Sequence, residues 1–432
     1  MVLLLLALLL PANAAEDPLQ TARDAAAAYT AGRFDEAATL YAKLADLLPR
    51  SPGARTGAAR ALARTGAART ALDHLSAVVD FGVRFDAADP AFEALRTDPR
   101  FRRLESRMRQ RTAPIVRSSV AFRLDPALIP ENIAHDPKTG AWFVGSMYKA
   151  KIVRIGPDGS VRDFIPPQRH GLLSVVGMKV DAPRRALWAA SGNFALRPPI
   201  ENEDPATRGK SHLFHFHADT GALVRAYPAP AGSPGNPVLF NDLVVTPGGD
   251  VYVTSGPGGI WLLRAGADGL EEFFARPGSI FNGIAITPDG KSVFAASHLE
   301  GILRIDLATK KVSPLVLPPG VALGGIDGLY VHGKSLIGVQ NGTDPVRVVR
   351  AWLDPAMTRV TRFSVLEQEH PESDLPLTGT IVGEHLYYVG RSQLRAFEGS
   401  SLWPADRLRE TTILKLPLEV DGAAGARRNS MR

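Results

Sequence analysis

Four short apolar segments of this chain each open on an oxygen-bearing side chain. They read Glu131-Asn-Ile-Ala-His-Asp-Pro, Asn241-Asp-Leu-Val-Val-Thr-Pro, Asn282-Gly-Ile-Ala-Ile-Thr-Pro-Asp-Gly and Asp327-Gly-Leu-Tyr-Val-His-Gly. If the segments are repeats, two carboxylates and two amides fall at one structural position. That donor set suits calcium or another hard divalent cation, which takes six to eight oxygens and lets water or substrate complete its shell. Zinc and copper fit poorly, because the chain has no cysteine and no histidine stands at the four positions. Two plainer readings stay open: an Asn or Asp before a strand is often only a turn residue, and a bound ion can brace a fold without doing chemistry.

Repeats make a further demand, and the chain meets it. Val176-Gly-Met-Lys-Val-Asp-Ala-Pro and Thr378-Gly-Thr-Ile-Val-Gly fit the same template. The six strand-opening positions, Glu131, Val176, Asn241, Asn282, Asp327 and Thr378, are separated by 45, 65, 41, 45 and 51 residues. Spacing of about 40 to 50 residues is that of a propeller blade, so the sequence predicts a mainly β fold, a six-bladed β-propeller over residues 115–416. The fourth repeat shows the grammar: strands at Ile284–Thr287, Ser292–Ala296, Gly301–Asp306 and Lys311–Leu315, with Pro288-Asp289-Gly290 as the first hairpin turn. A strand near Val116–Phe122 is expected to pair with Thr412–Leu416 and close the ring.

In such a disc the strand-opening residues ring the channel mouth. Residues that follow the second strands, Ser146, Asn193, Ser255, His298, Gln340, Asn341 and Arg391, ring it further out on the same face. Val176 and Thr378 leave a gap through which water or substrate can reach an ion, with Asp327 beside it.

Residues 18–110 read instead as helices, with Ala31-Gly32-Arg33-Phe34-Asp35-Glu36-Ala37 recurring as Thr65-Gly66-Ala67-Ala68-Arg69-Thr70-Ala71, an offset of 34. That period is tetratricopeptide-like, and one or two such units are too few to stand alone, so the helices should pack on something else. They offer either a groove for a protein partner or a structural cap. Met1–Ala14, a leucine-rich run before Pro11 and Ala12-Asn13-Ala14, reads as a signal peptide, which places the chain in the periplasm or outside the cell. A cysteine-free exported chain does not rest on disulfides, and no span in the mature chain reaches the length of a membrane helix. The tail 419–432 lacks apolar periodicity and reads as disordered. Net charge is +6, thinly spread, which fits a solvated surface better than nucleic-acid binding.

The strand-opening motifs resemble those of the senescence-marker-protein/gluconolactonase/LRE family, six-bladed propellers related to the paraoxonases. The resemblance implies a divalent-cation site at Glu131, Asn241, Asn282 and Asp327 and hydrolysis of a lactone or related ester, with Asp327 as candidate base; position alone adds His298, expected to face solvent. The chain departs from the family at Glu131-Asn132-Ile133, where Glu-Gly-Pro is common. The alternative is a non-catalytic, metal-stabilised binding or scaffold protein working through its helices. An insert at residues 194–210 is either a lid or a surface loop, and His212, His215 and His217 are either a metal pair or ordinary strand residues.

Overall fold

The computed structural model describes residues 17–194, 198–232, 237–256 and 258–419. Met1–Ala14 and all but the first residue of the 419–432 tail lie outside them. Six four-stranded antiparallel sheets are arranged as blades. The innermost strands, Pro130–His135, Ser174–Asp181, Phe240–Val245, Phe281–Ile286, Ile326–His332 and Gly379–Val382, adjoin one another in that order, and the sixth returns to the first. Blade 4 has its remaining strands at Ser292–Ser297, Gly301–Asp306 and Val312–Pro314, within about two residues of the sequence expectation. Its first hairpin turns on Gly290 at φ +68°, and the Asp289 carboxylate accepts from the Lys291 N–H at 3.1 Å.

Closure also follows expectation. Ser119–Leu124 is the outermost strand of blade 6 and pairs with Thr411–Pro417, Val120 opposite Leu414 and Arg123 opposite Thr412. Both chain ends of the propeller thus share one sheet, which closes the ring. Between blades the core is aliphatic and aromatic; Phe143, Phe214, Phe240, Phe281 and Phe294 are fully buried.

Among the described residues five α-helices precede the disc: α1 Pro18–Thr30, α2 Phe34–Leu47, α3 Pro52–Arg64, α4 Ala68–Asp80 and α5 Pro99–Arg111. Three begin on a capping residue followed by proline, a pairing that supplies an acceptor and a preset φ. Asp17, Ser51 and Asp98 accept from the N–H of Leu19, Ala54 and Arg100. The helical period recurs in the structure, since Pro18 and Pro52 start equivalent helices 34 positions apart.

These helices pack on the propeller. Leu19, Leu44, Leu48 and Ala54 form one apolar cluster with Ile280 and Leu299 of blade 4, and Val78, Phe81 and Val83 form another with Ala322. Burial of one such leucine is worth about 1.5–3 kcal/mol. Arg50 then locks the seam by donating to the carbonyls of Leu317, Pro318 and Val321, each at 2.8 Å. Among the described residues no helix is long and apolar enough to cross a membrane.

Candidate functional site

Each of the first five strand-opening residues sits at an irregularity in the ladder. In blade 1 Pro130 pairs with Ser146 but Asn132 pairs with Gly145, so Glu131 is the extra residue. The same shift brackets Val176, Asn241 with Asp242, Asn282 with Gly283, and Asp327 with Gly328. A bulge turns a side chain out of the pleat. Here it recurs around the channel at the positions that the repeats mark.

Contacts run from blade to blade around this ring. An added Cβ on Gly177 would collide with the Asn241 carbonyl oxygen, and one on Gly283 with that of Asp327. The Asn241 side-chain amide donates to the Asn282 side-chain oxygen. A Cβ on Gly328 would come within 3.1 Å of the Thr378 Cα, and the Thr378 hydroxyl donates to the Glu131 carbonyl oxygen at 3.0 Å. The structure therefore brings Glu131, Asn241, Asn282, Asp327 and Thr378 around one mouth. Glu131, Asn241 and Asp327 are buried, Asn282 is half-buried, and the Asp327 carboxylate accepts from Asn341 Nδ2 at 2.8 Å.

The donor set is oxygen-rich and mixed. Among the described residues no group of three or more His, Cys, Asp or Glu converges, and two of the four expected ligands are amides. Beside Glu131 stands Asn132, 2% exposed, with both amide atoms lacking a hydrogen-bond partner. A buried polar group left unbonded is costly, and an unpartnered amide oxygen one residue from Glu131 is compatible with a cation that completes its bonding.

Three residues inside the channel escaped the sequence reading. Asp242, directly after Asn241 and 4% exposed, accepts from the Leu243 N–H at 2.8 Å. Lys179 Nζ lies 3.8 Å from its Oδ1. The same ammonium is 5.3 Å from the ring centre of Tyr330, on blade 5, so the lysine of blade 2 reaches across the channel. Burial, and after it the Asp242 charge, raises the Tyr330 hydroxyl well above the usual phenol range. The signal was present in the repeats: Lys179 and Tyr330 both stand three residues after a strand-opening position, where Ala134, Val244, Ala285 and Ile381 occupy the other blades.

His298 is half-buried, not solvent-facing as expected, because the helices dock over blade 4. Desolvation lowers its pKa. It lines a cleft against the helices, and none of the four expected metal ligands is among that cleft's walls. Most of the outer ring holds loops in place. Ser146 donates to Leu128 O, Ser255 accepts from Leu239 N, Asn193 donates to Thr207, and Arg391 pairs with Glu372 at 3.0 Å. Part of the 194–210 insert is likewise fastened down: Ile200 packs on Ala150 and Leu173, and Glu201 pairs with Lys149 at 2.6 Å. His215 stacks at 4.3 Å on Trp188, its partner on the neighbouring strand, which accords with the ordinary reading of that histidine cluster.

No protein-family model and no curated protein matches the chain. Solved structures similar to it include a gluconolactonase from Xanthomonas campestris (14% identity, 71% of this chain and 97% of that one, TM-score 0.44). They also include regucalcin, a calcium-binding protein from Agrobacterium tumefaciens (16%, 69% and 93%, TM-score 0.44), and virginiamycin B lyase from Staphylococcus aureus (15%, 62% and 80%, TM-score 0.43). The first two are of the kind that the strand-opening motifs resemble. All three likenesses concern fold, and their differing activities are their own.

Proposed function

We propose that the chain is a divalent-cation-dependent hydrolase of a lactone or related ester, working at the mouth of the propeller channel. The observation that carries this reading is the bulged ring, which sets two carboxylates and two amides around one opening with the orphaned Asn132 amide beside them. Glu131, Asn241, Asn282 and Asp327 would hold the ion, with calcium the best match to an all-oxygen set. Such an ion, when bound, supplies Lewis-acid polarisation of an ester carbonyl.

The remaining work falls to the chain. Asn341, by donating to Asp327, fixes the orientation of that carboxylate; an oriented carboxylate at the rim can take a proton from water. Thr378 is committed to the Glu131 backbone and Val176 is buried among apolar side chains, so neither competes for substrate oxygens. His298 remains a second candidate base, at the edge of the face and held neutral by burial.

The test measures bound metal in the purified chain, then turnover of a panel of lactones and aryl esters with and without chelator, beside Asp327→Ala. Turnover that requires metal and Asp327 is expected. Tight metal binding without turnover would leave only the scaffold reading, and absence of any divalent ion would remove the site.

A further inference from the structure

The helices and the propeller enclose a cleft of about 340 Å³ between them. Tyr41, Thr56 and Arg60 form one wall and His298, Gly325 and Gly342 the other, with Arg84 and Asp344 at one end. The propeller wall is kept low by glycine: a Cβ on Gly342 would sit 2.6 Å from the Gly325 Cα and 2.8 Å from His298 Cε1. Ligand sites favour such junctions between packed units, where a few polar groups converge in a concave space.

The chemistry of the walls is specific. Arg60 is held by Asp89 at 2.7 Å and stacks over Tyr29 at 4.6 Å, yet its side chain is 40% exposed. Arg84 is anchored by Asp344 at 3.1 Å and Glu369 at 2.7 Å. Both guanidiniums are thus fixed by protein contacts on one side, and a guanidinium has five N–H donors in a rigid fork that matches a carboxylate. Asp344, the one carboxylate in the walls, is occupied by Arg84, and Thr56, Thr343 and Tyr41 add hydroxyls.

We infer that this cleft binds a small organic carboxylate, and that the helical segment exists in part to form its second wall. Burial lowers the His298 pKa, the direction in which an enclosed site displaces an imidazole. The inference needs no ion at the channel mouth and stands whether or not the ring is catalytic.

Titration calorimetry of the full chain with acetate, succinate, citrate and benzoate, and with benzyl alcohol as a neutral control, tests it. Saturable one-to-one binding of at least one carboxylate is expected, with Arg60→Gln weakening it at least about tenfold and Thr56→Leu, which fills the space without touching a charge, abolishing it. Thermal midpoints without ligand report whether each variant is folded; if Arg60→Gln is not, Thr56→Leu carries the test alone. No saturation by any carboxylate, equal binding of benzyl alcohol, or unchanged affinity in either folded variant overturns the assignment. Repeating the titration in chelator separates this site from the ring, since binding here should be unaffected.

Discussion

Arg347 Nε donates to Gln340 Oε1 at 2.7 Å, and through this bond the helical segment is coupled to the loop that leads into the Asp327 strand. On one side Arg347 Nη1 donates to the carbonyls of Phe81 and Gly82 at the end of α4, at 3.1 and 3.0 Å. On the other, Gln340 Nε2 donates to Ala322 O at 3.2 Å and Gly324 O at 2.6 Å, three residues before Asp327. Arg347 is 2% exposed, and burial, then the Arg111 charge, draws its pKa down to about 10. Arg347→Met would strand three buried acceptors, at about 1–3 kcal/mol each. Arg84→Met removes only ion pairs that are a third or more exposed, worth about 0–1 kcal/mol. Urea unfolding should show a clearly larger loss for Arg347→Met, and equal shifts would dismiss its role as the hub of the seam.

The bulged ring predicts a lesion that changes no ligand. Gly283→Ala leaves every polar side chain in place, but its new Cβ would collide with the Asp327 carbonyl oxygen. The backbone bearing Asp327 must then move. If the ring holds a divalent cation, calcium should raise the thermal midpoint of the parent chain by mass action and do so much less for Gly283→Ala. Gly290→Ala, where no atom lies within 4 Å of the added Cβ, controls for loss of glycine, although its positive φ carries a small strain. An identical calcium response in parent and Gly283→Ala would separate the ring from metal binding.

Periodicity made the disc legible, because every blade must repeat one apolar strand and one turn to close the circle. It also fixed where Glu131, Asn241, Asn282 and Asp327 would meet. Docking of the helices was legible only as a need: two helical pairs cannot bury their own faces, but nothing in Leu44 or Leu48 names Ile280 and Leu299 as partners. That is why His298 was expected in solvent and lies half-buried. Lys179 was missed for a different reason. Its partner Tyr330 belongs to the opposite blade, and contact across a channel depends on channel width, which no local pattern encodes.

The Lys179–Asp242 pair predicts non-additivity. Asp242 is a buried carboxylate whose nearest cation is Lys179 at 3.8 Å. Lys179→Met leaves that charge without a counter-ion, a loss of about 3 kcal/mol where removal of one partner strands a buried charge. Asp242→Asn removes the carboxylate's charge and keeps its shape. The double variant should therefore be more stable than the sum of the two single losses implies, by at least about 1 kcal/mol. Strict additivity in denaturant unfolding would show that the two groups do not interact.

Acid should unfold the protein in two stages. Burial is the leading cause that lowers the pKa of His74, His135, His212, His215 and His298. As pH falls below about 6.5, the unfolded chain takes up protons that these folded imidazoles resist, so stability drops with falling pH in that window. Asp136 acts lower on the scale. Burial pushes its carboxyl up, but hydrogen bonds from Arg185, Thr139 and the Lys138 N–H outweigh that and hold it well below the usual range. Its contribution is complete above the ordinary aspartate pKa and is lost as pH falls beneath it. Urea midpoints from pH 7.5 to 3 should show both declines. His298→Asn should flatten part of the first and leave the second intact, whereas Asp136→Asn, just past the far end of the strand that opens at Glu131, should erase much of the second and lower stability at neutral pH. A first decline of the same size in His298→Asn would show that this imidazole is already as free to charge as in the unfolded chain.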